Sequence, residues 1–91
     1  MNLNISFRHM DSTPSIESMI RKKADHLKKY FHNHFDLDWV CSVEKGRHQS
    51  VLNIKADRGH FHAMAQDDSL YKTMDQVLDK IENQIQKSIR K

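Results

Sequence analysis

Apolar residues recur with a period of two in four stretches of this chain and with a period near 3.6 in two others. A strand requires the first period and a helix the second, so the order of the stretches sets the order of the elements. Leu3, Ile5 and Phe7 alternate with Asn2, Asn4, Ser6 and Arg8, which predicts a half-buried strand over residues 2–8. Thr13 then offers a helix N-cap, with Pro14 at the first helical position, where its missing N–H costs nothing. Ile16, Ile20, Ala24, Leu27 and Phe31 follow at spacings of three and four, predicting an amphipathic helix over 14–32.

Alternation returns at Leu37, Trp39, Cys41 and Val43, and breaks at Lys45-Gly46-Arg47-His48. Leu52, Ile54 and Ala56 mark a third strand, and Asp57-Arg58-Gly59 a hairpin connection in which Gly59 can take a positive φ. Phe61, Ala63 and Ala65 mark a fourth. Asp67, Asp68 and Ser69 place acceptors and negative charge where the last helix begins. Its stripe runs through Leu70, Met74, Val77, Leu78, Ile81, Ile85 and Ile89.

The predicted class is α+β in the order β-α-β-β-β-α. Short connections make the last three strands an antiparallel meander, and both helices pack on one face of a four-stranded sheet. Ninety-one residues are expected to form a single domain, 1–91. A chain this short buries only about 60–65% of its unfolded surface, so function is expected on a surface rather than in a deep pocket. No apolar run approaches the roughly 18 residues of a membrane span, and the alternating start does not read as a secretory signal. One cysteine, Cys41, forms no internal bridge, which places the domain in a reducing cytoplasm.

Fifteen Lys and Arg stand against twelve Asp and Glu, net +3. Their distribution says more than their sum. Arg21, Lys22, Lys28 and Lys29 project opposite the first helix's apolar stripe, around Asp25, while Lys23 lies at the stripe's edge and presents only its ammonium. In the last helix, Lys72, Lys80, Lys87, Arg90 and Lys91 share one flank with Gln76, Asn83 and Gln84, and Asp75, Asp79 and Glu82 take the other. A cationic stripe interleaved with amides suits phosphate and sugar contacts. An ordinary polar face remains the competing reading.

Catalytic chemistry is thin. With two glycines the chain has no phosphate-cradling loop, and Cys41 sits at a core phase, as a small hydrophobe does. His32-x-His34 and His60-x-His62 lack a third ligand at a metal-site spacing, so neither metal nor cofactor is expected. Trp39 and most Phe residues fall at core phases, which argues against a base-stacking sheet. A double-stranded RNA-binding domain ends in the same βββα order, but it carries lysines where this chain has Asp67-Asp68-Ser69.

Several stretches in order resemble the ribosome hibernation-promoting factors, also called protein Y or ribosome-associated inhibitors. These are Met1-Asn2-Leu3-Asn4-Ile5-Ser6, Leu27-x-x-Tyr30-Phe31, Val43-Glu44-Lys45, and Gly59 through His62-Ala63-x-Ala65. The most specific is Leu70-Tyr71-x-x-x-Asp75-x-x-x-Asp79-Lys80-Ile81-x-x-Gln84-Ile85-x-Lys87. The resemblance implies a non-enzymatic protein that binds the 30S subunit near the decoding centre. There it would occupy the mRNA channel and the A- and P-site tRNA positions through 16S rRNA backbone contacts. Lys23, Lys80, Gln84 and Lys87 match family positions, and Arg90 and Lys91 match its basic end loosely.

The chain departs from the family at Asn83, Ser88, Ile89 and His26, leaving Arg21, Lys22, Lys28, Lys29 and Arg47 to compensate. It resembles the short form, which acts as a monomer and promotes inactive ribosome dimers with a separate modulation factor. A general RNA-binding module, or a protein-interaction domain using the His60 and His62 face, are the alternatives.

Overall fold

A computed structural model describes residues 1–89. Strand β1 (Asn2–Arg8) leads into helix α1 (Pro14–Asp25), then strands β2 (Asp36–Glu44), β3 (Arg47–Ala56) and β4 (Gly59–Asp67), and helix α2 (Leu70–Ile89). The sheet order is β1-β2-β3-β4. The β2-β3-β4 meander is antiparallel, as the short connections require, and β1 lies parallel to β2 because α1 carries the chain back over the sheet.

Each strand alternates as its sequence does. Leu37, Trp39, Cys41, Leu52, Ile54, Phe61, Ala63 and Ala65 are buried on one face and join Ile20, Ala24, Leu27 and the α2 stripe from Leu70 to Ile85 in one core. Thr13 caps α1, its Oγ1 accepting from the Ile16 N–H at 3.2 Å, with Pro14 at the first helical turn. The helix does not run on to residue 32 in α geometry. It tightens into a 3-10 segment at His26–Tyr30. A three-residue repeat stacks Leu27 and Tyr30 on one side, so Leu27 stays in the core while the Tyr30 hydroxyl reaches Glu82 Oε2 of α2 at 2.6 Å.

The β2–β3 turn is Lys45-Gly46, and both residues have positive φ (51° and 76°). That pair of conformations matches the right-handed twist of the flanking strands. Gly59 takes φ 127° after the β3–β4 turn.

One buried polar contact ties α2 to the sheet. Thr73 Oγ1 donates its single proton to the Leu70 carbonyl at 2.6 Å, so Ser50 Oγ must donate to Thr73 Oγ1 at 2.9 Å. Both side chains are fully buried. Thr73→Val strands the Ser50 hydroxyl and is expected to cost about 1–3 kcal/mol in urea unfolding. The double variant Ser50→Ala/Thr73→Val, which removes both partners, is expected to recover part of that loss.

Candidate nucleic-acid interface

The cations named from sequence fall in three places. The first is the outer face of α1 and the 3-10 segment. With Ile20, Ala24 and Leu27 turned into the core, Arg21, Lys22, Lys28 and Lys29 are exposed. Lys28 forms an exposed pair with Asp25 at 3.2 Å, and the Lys29 ammonium lies 5.2 Å from the Tyr30 ring centre. A pair this exposed contributes little and reopens readily for another anion. Among the described residues, Arg21 and Lys22 have no carboxylate within ion-pair distance.

Lys23 behaves differently. Its stem is half-buried and its ammonium is bonded to Asp75 of α2. The Tyr30–Glu82 bond, with Gln86 Nε2 donating to the Tyr30 hydroxyl at 3.2 Å, adds to the same seam. The acidic flank of α2 therefore faces α1. Much of the charge segregation in the last helix has this internal cause, and Lys23 is spent on it.

The second place is the opposite flank of α2, which lies along the exposed edge of β4. An edge strand leaves N–H and C=O groups unpaired. Gln84 serves one residue twice: its Nε2 donates to the His62 carbonyl at 2.6 Å, and its Oε1 accepts from the His62 N–H at 3.4 Å. Two residues along, Lys80 Nζ donates to the Met64 carbonyl at 2.9 Å. Gln76 Nε2 donates to Asp67 Oδ2 at 3.0 Å. Of the amides expected to meet sugar and phosphate, Gln84 thus closes the sheet edge and Gln76 bonds a carboxylate, while Asn83, Lys80 and Lys87 are exposed. Arg90 and Lys91 lie outside the described residues.

The third place is the outer face of the sheet, where Arg47 sits at the start of β3, away from both helices. The structure does not join Arg47 to the helix cations.

The start of α2 is acidic, as its sequence predicts. Asp67 accepts from the Asp68 N–H at 2.7 Å as well as from Gln76. Hydrogen bonds from Asp68 and Gln76 hold its carboxyl well below the usual carboxylate range. Tyr71 is 52% exposed beside Lys72, an aromatic surface that the sequence reading did not single out. Its position just off the apolar stripe was the available signal.

Cys41 is fully buried, and burial pushes its thiol up. His62 Nδ1 donates to Asn53 Oδ1 at 2.6 Å and His34 Nε2 bonds Asp36 Oδ1 at 3.1 Å, so these histidines serve local polar contacts. No group of three or more His, Cys, Asp or Glu among the described residues is placed to hold a metal ion. No helix there is long and apolar enough to cross a membrane.

The fold and its surface define a class: a small α+β domain with exposed cations over its helix layer. Comparison with known proteins makes the class specific. Residues 3–91 match the family model described as Sigma 54 modulation protein / S30EA ribosomal protein, and the chain belongs to that family. It is 29% identical to the ribosome hibernation promoting factor of Escherichia coli K12, over 96% of this chain and 92% of that protein. It is 23% identical to the protein of that name from Pseudomonas putida KT2440, over 96% and 85%.

Two solved structures share the fold. The protein Y N-terminal domain of Thermus thermophilus superposes with a TM-score of 0.89 at 22% identity, covering 96% of this chain and 98% of that one. A ribosomal subunit interface protein from Coxiella burnetii gives 0.88 at 21% identity, with both chains fully covered.

Gln84→Ala is expected to lower stability by about 0.5–1.5 kcal/mol and to speed amide exchange at His62, read by hydrogen-exchange NMR. A carboxyl held low favours the folded state above its unfolded value and loses that contribution as pH falls through it. The melting temperature should therefore drop below about pH 4. In Asp67→Asn that drop should be smaller.

Proposed function

We propose that this protein is a ribosome hibernation factor that binds the 30S subunit in the decoding region and blocks translation without catalysing a reaction. The full-length family match carries the reading, since it spans both helices and every strand. The exposed cations of α1 and the 3-10 segment (Arg21, Lys22, Lys28 and Lys29) meet 16S rRNA phosphates, joined by Lys80 and Lys87 from α2. The body of the domain then excludes mRNA and the A- and P-site tRNAs. Lys23 and Gln84 contribute by fixing α2 against α1 and β4, so that the cations present a rigid surface. Arg90 and Lys91, outside the described residues, are assigned the same role from their charge alone. The protein works as a monomer in the cytoplasm during stationary phase, and favours inactive ribosome dimers with a separate modulation factor.

Occlusion needs little more than shape and charge, and its signature is salt dependence. Affinity falls with a log–log slope of roughly −0.7 to −0.9 per phosphate neutralised. The test is co-sedimentation with purified 30S subunits and vacant ribosomes over a salt series, with excess poly(U) as competitor. Pelleting that resists poly(U), together with inhibition of translation in an extract, is the expected result. Complete displacement by poly(U) would reduce the protein to a general RNA binder. Arg21→Gln/Lys22→Gln is expected to weaken pelleting about tenfold at 0.15 M salt and to flatten the slope by one to two units. Its unfolding midpoint should hardly move, because exposed substitutions of this kind usually change stability by about 0.5 kcal/mol or less.

A further inference from the structure

The outer face of the sheet is charged unevenly. At the end where β2 turns into β3, a groove of about 430 Å³ opens on the side of the sheet away from both helices. Arg8, Lys45 and Arg47 rim it, against the single carboxylate Glu44. Glu44 and Arg47 are opposed in the strand register, yet no ion pair joins them among the described residues. Arg8 and Lys45 are equally free of carboxylate partners there. Lys45 is held in a two-residue turn with no slack, so its position on the rim is fixed by the hairpin. The floor is formed by the half-buried Val40 and Val51 with the Gln49 amide, which is bonded to Gln66 at 3.1 Å. The opposite end of the same face is mixed, with the acids Asp36 and Asp38 beside Lys55.

We infer that this groove is a second RNA-binding surface, taking a single-stranded phosphodiester backbone across Arg8 and Arg47 while the helix face holds a separate RNA segment. Three observations select that occupant. The rim is cationic and uncommitted, unlike Lys23, whose charge is spent inside the fold. Two guanidinium forks match phosphate oxygens in a bidentate manner, and the valine floor accepts a ribose or base face. The groove also lies on the face of the sheet and not along an edge, so it gives a peptide no backbone ladder to join. Exposed cations thus lie both on the helix layer and on the outer face of the sheet, which point in opposite directions. The molecule can therefore be held between two RNA walls.

This inference rests on the ribosome reading only for the identity of the RNA, and the two can fail separately. Arg8→Gln/Arg47→Gln is compared with the unaltered protein in the ribosome salt series. The expected result is about tenfold weaker pelleting and a slope flatter by one to two units. A photo-reactive residue at position 49 is expected to crosslink to rRNA. In parallel, a ten-nucleotide single-stranded RNA is titrated into labelled protein. Shifts are expected at the backbone amides of Arg8, Arg47 and Gln49, and are expected to vanish in the variant. An unchanged slope with no shifts at these amides overturns the groove and leaves the ribosome reading standing. So does a crosslink confined to ribosomal protein. Failure of the unaltered protein to pellet, with the shifts still present, overturns the ribosome reading and leaves the groove.

Discussion

The helix side of this protein is organised by the packing of α2 on the sheet. Leu70, Met74, Val77, Leu78, Ile81 and Ile85 are buried along one stripe, more buried apolar side chains than any other element contributes, and their transfer from water is favourable. Once that stripe is seated, the two flanks of the helix have no freedom. One must face α1 and the other must lie along β4. The buried Ser50–Thr73 bond fixes how far along the sheet the helix sits, because a shift would separate two hydroxyls that have no water to turn to.

The polar residues of α2 then divide by what they face. On the α1 side, Asp75 and Glu82 meet Lys23 and Tyr30. On the β4 side, Gln84 and Lys80 meet backbone groups that would otherwise offer a template to another strand. A charge pattern that resembles a binding stripe is thus partly the requirement of a helix lying between a cationic neighbour and an open sheet edge. What remains uncommitted is narrower. Among the described residues, Arg21, Lys22 and Lys29 on the first helical layer, Lys72 and Lys87 on the second, and Arg8, Lys45, Arg47 and Lys55 across the sheet carry no ion pair.

The fold was legible because each element carries one period and one apolar face. The alternations at Leu3–Phe7 and Leu37–Val43, and the stripe from Leu70 to Ile85, are enough to give order, layers and meander. Local signals also held at the caps and turns: Thr13-Pro14 starts α1, and Gly59 takes its positive φ. The change to 3-10 geometry at His26 was not legible, because the spacing of Ala24, Leu27 and Phe31 reads as a continuing α-helical stripe and nothing in it marks the switch that aligns Leu27 with Tyr30. The site was legible only as a list of cations. Arg21 and Lys22 project as periodicity places them, but the roles of Lys23 and Gln84 depend on which helix flank meets α1 and which strand is left at the edge. Those are facts of tertiary packing, and sequence spacing does not contain them. Arg47 illustrates the same limit, since its register puts it on the face opposite the helices.

The division between committed and uncommitted charge has a consequence for how such a domain recognises RNA. A lysine already bonded to a carboxylate must break that pair before it can meet a phosphate, so its net gain is small. A free arginine on a β-strand has no such cost, and its backbone is already held by the sheet. The strongest contacts should therefore come from the rigid and unpaired cations, wherever they lie, and not from the helix with the most striking pattern. In this fold they lie on both faces of a two-layer slab, the helix layer and the outer face of the sheet. A slab charged on both faces fits most closely where RNA surrounds it, because a flat or isolated duplex can satisfy only one face at a time. The distribution of free charge in the fold thus favours a crevice in a large RNA over a single helix of it.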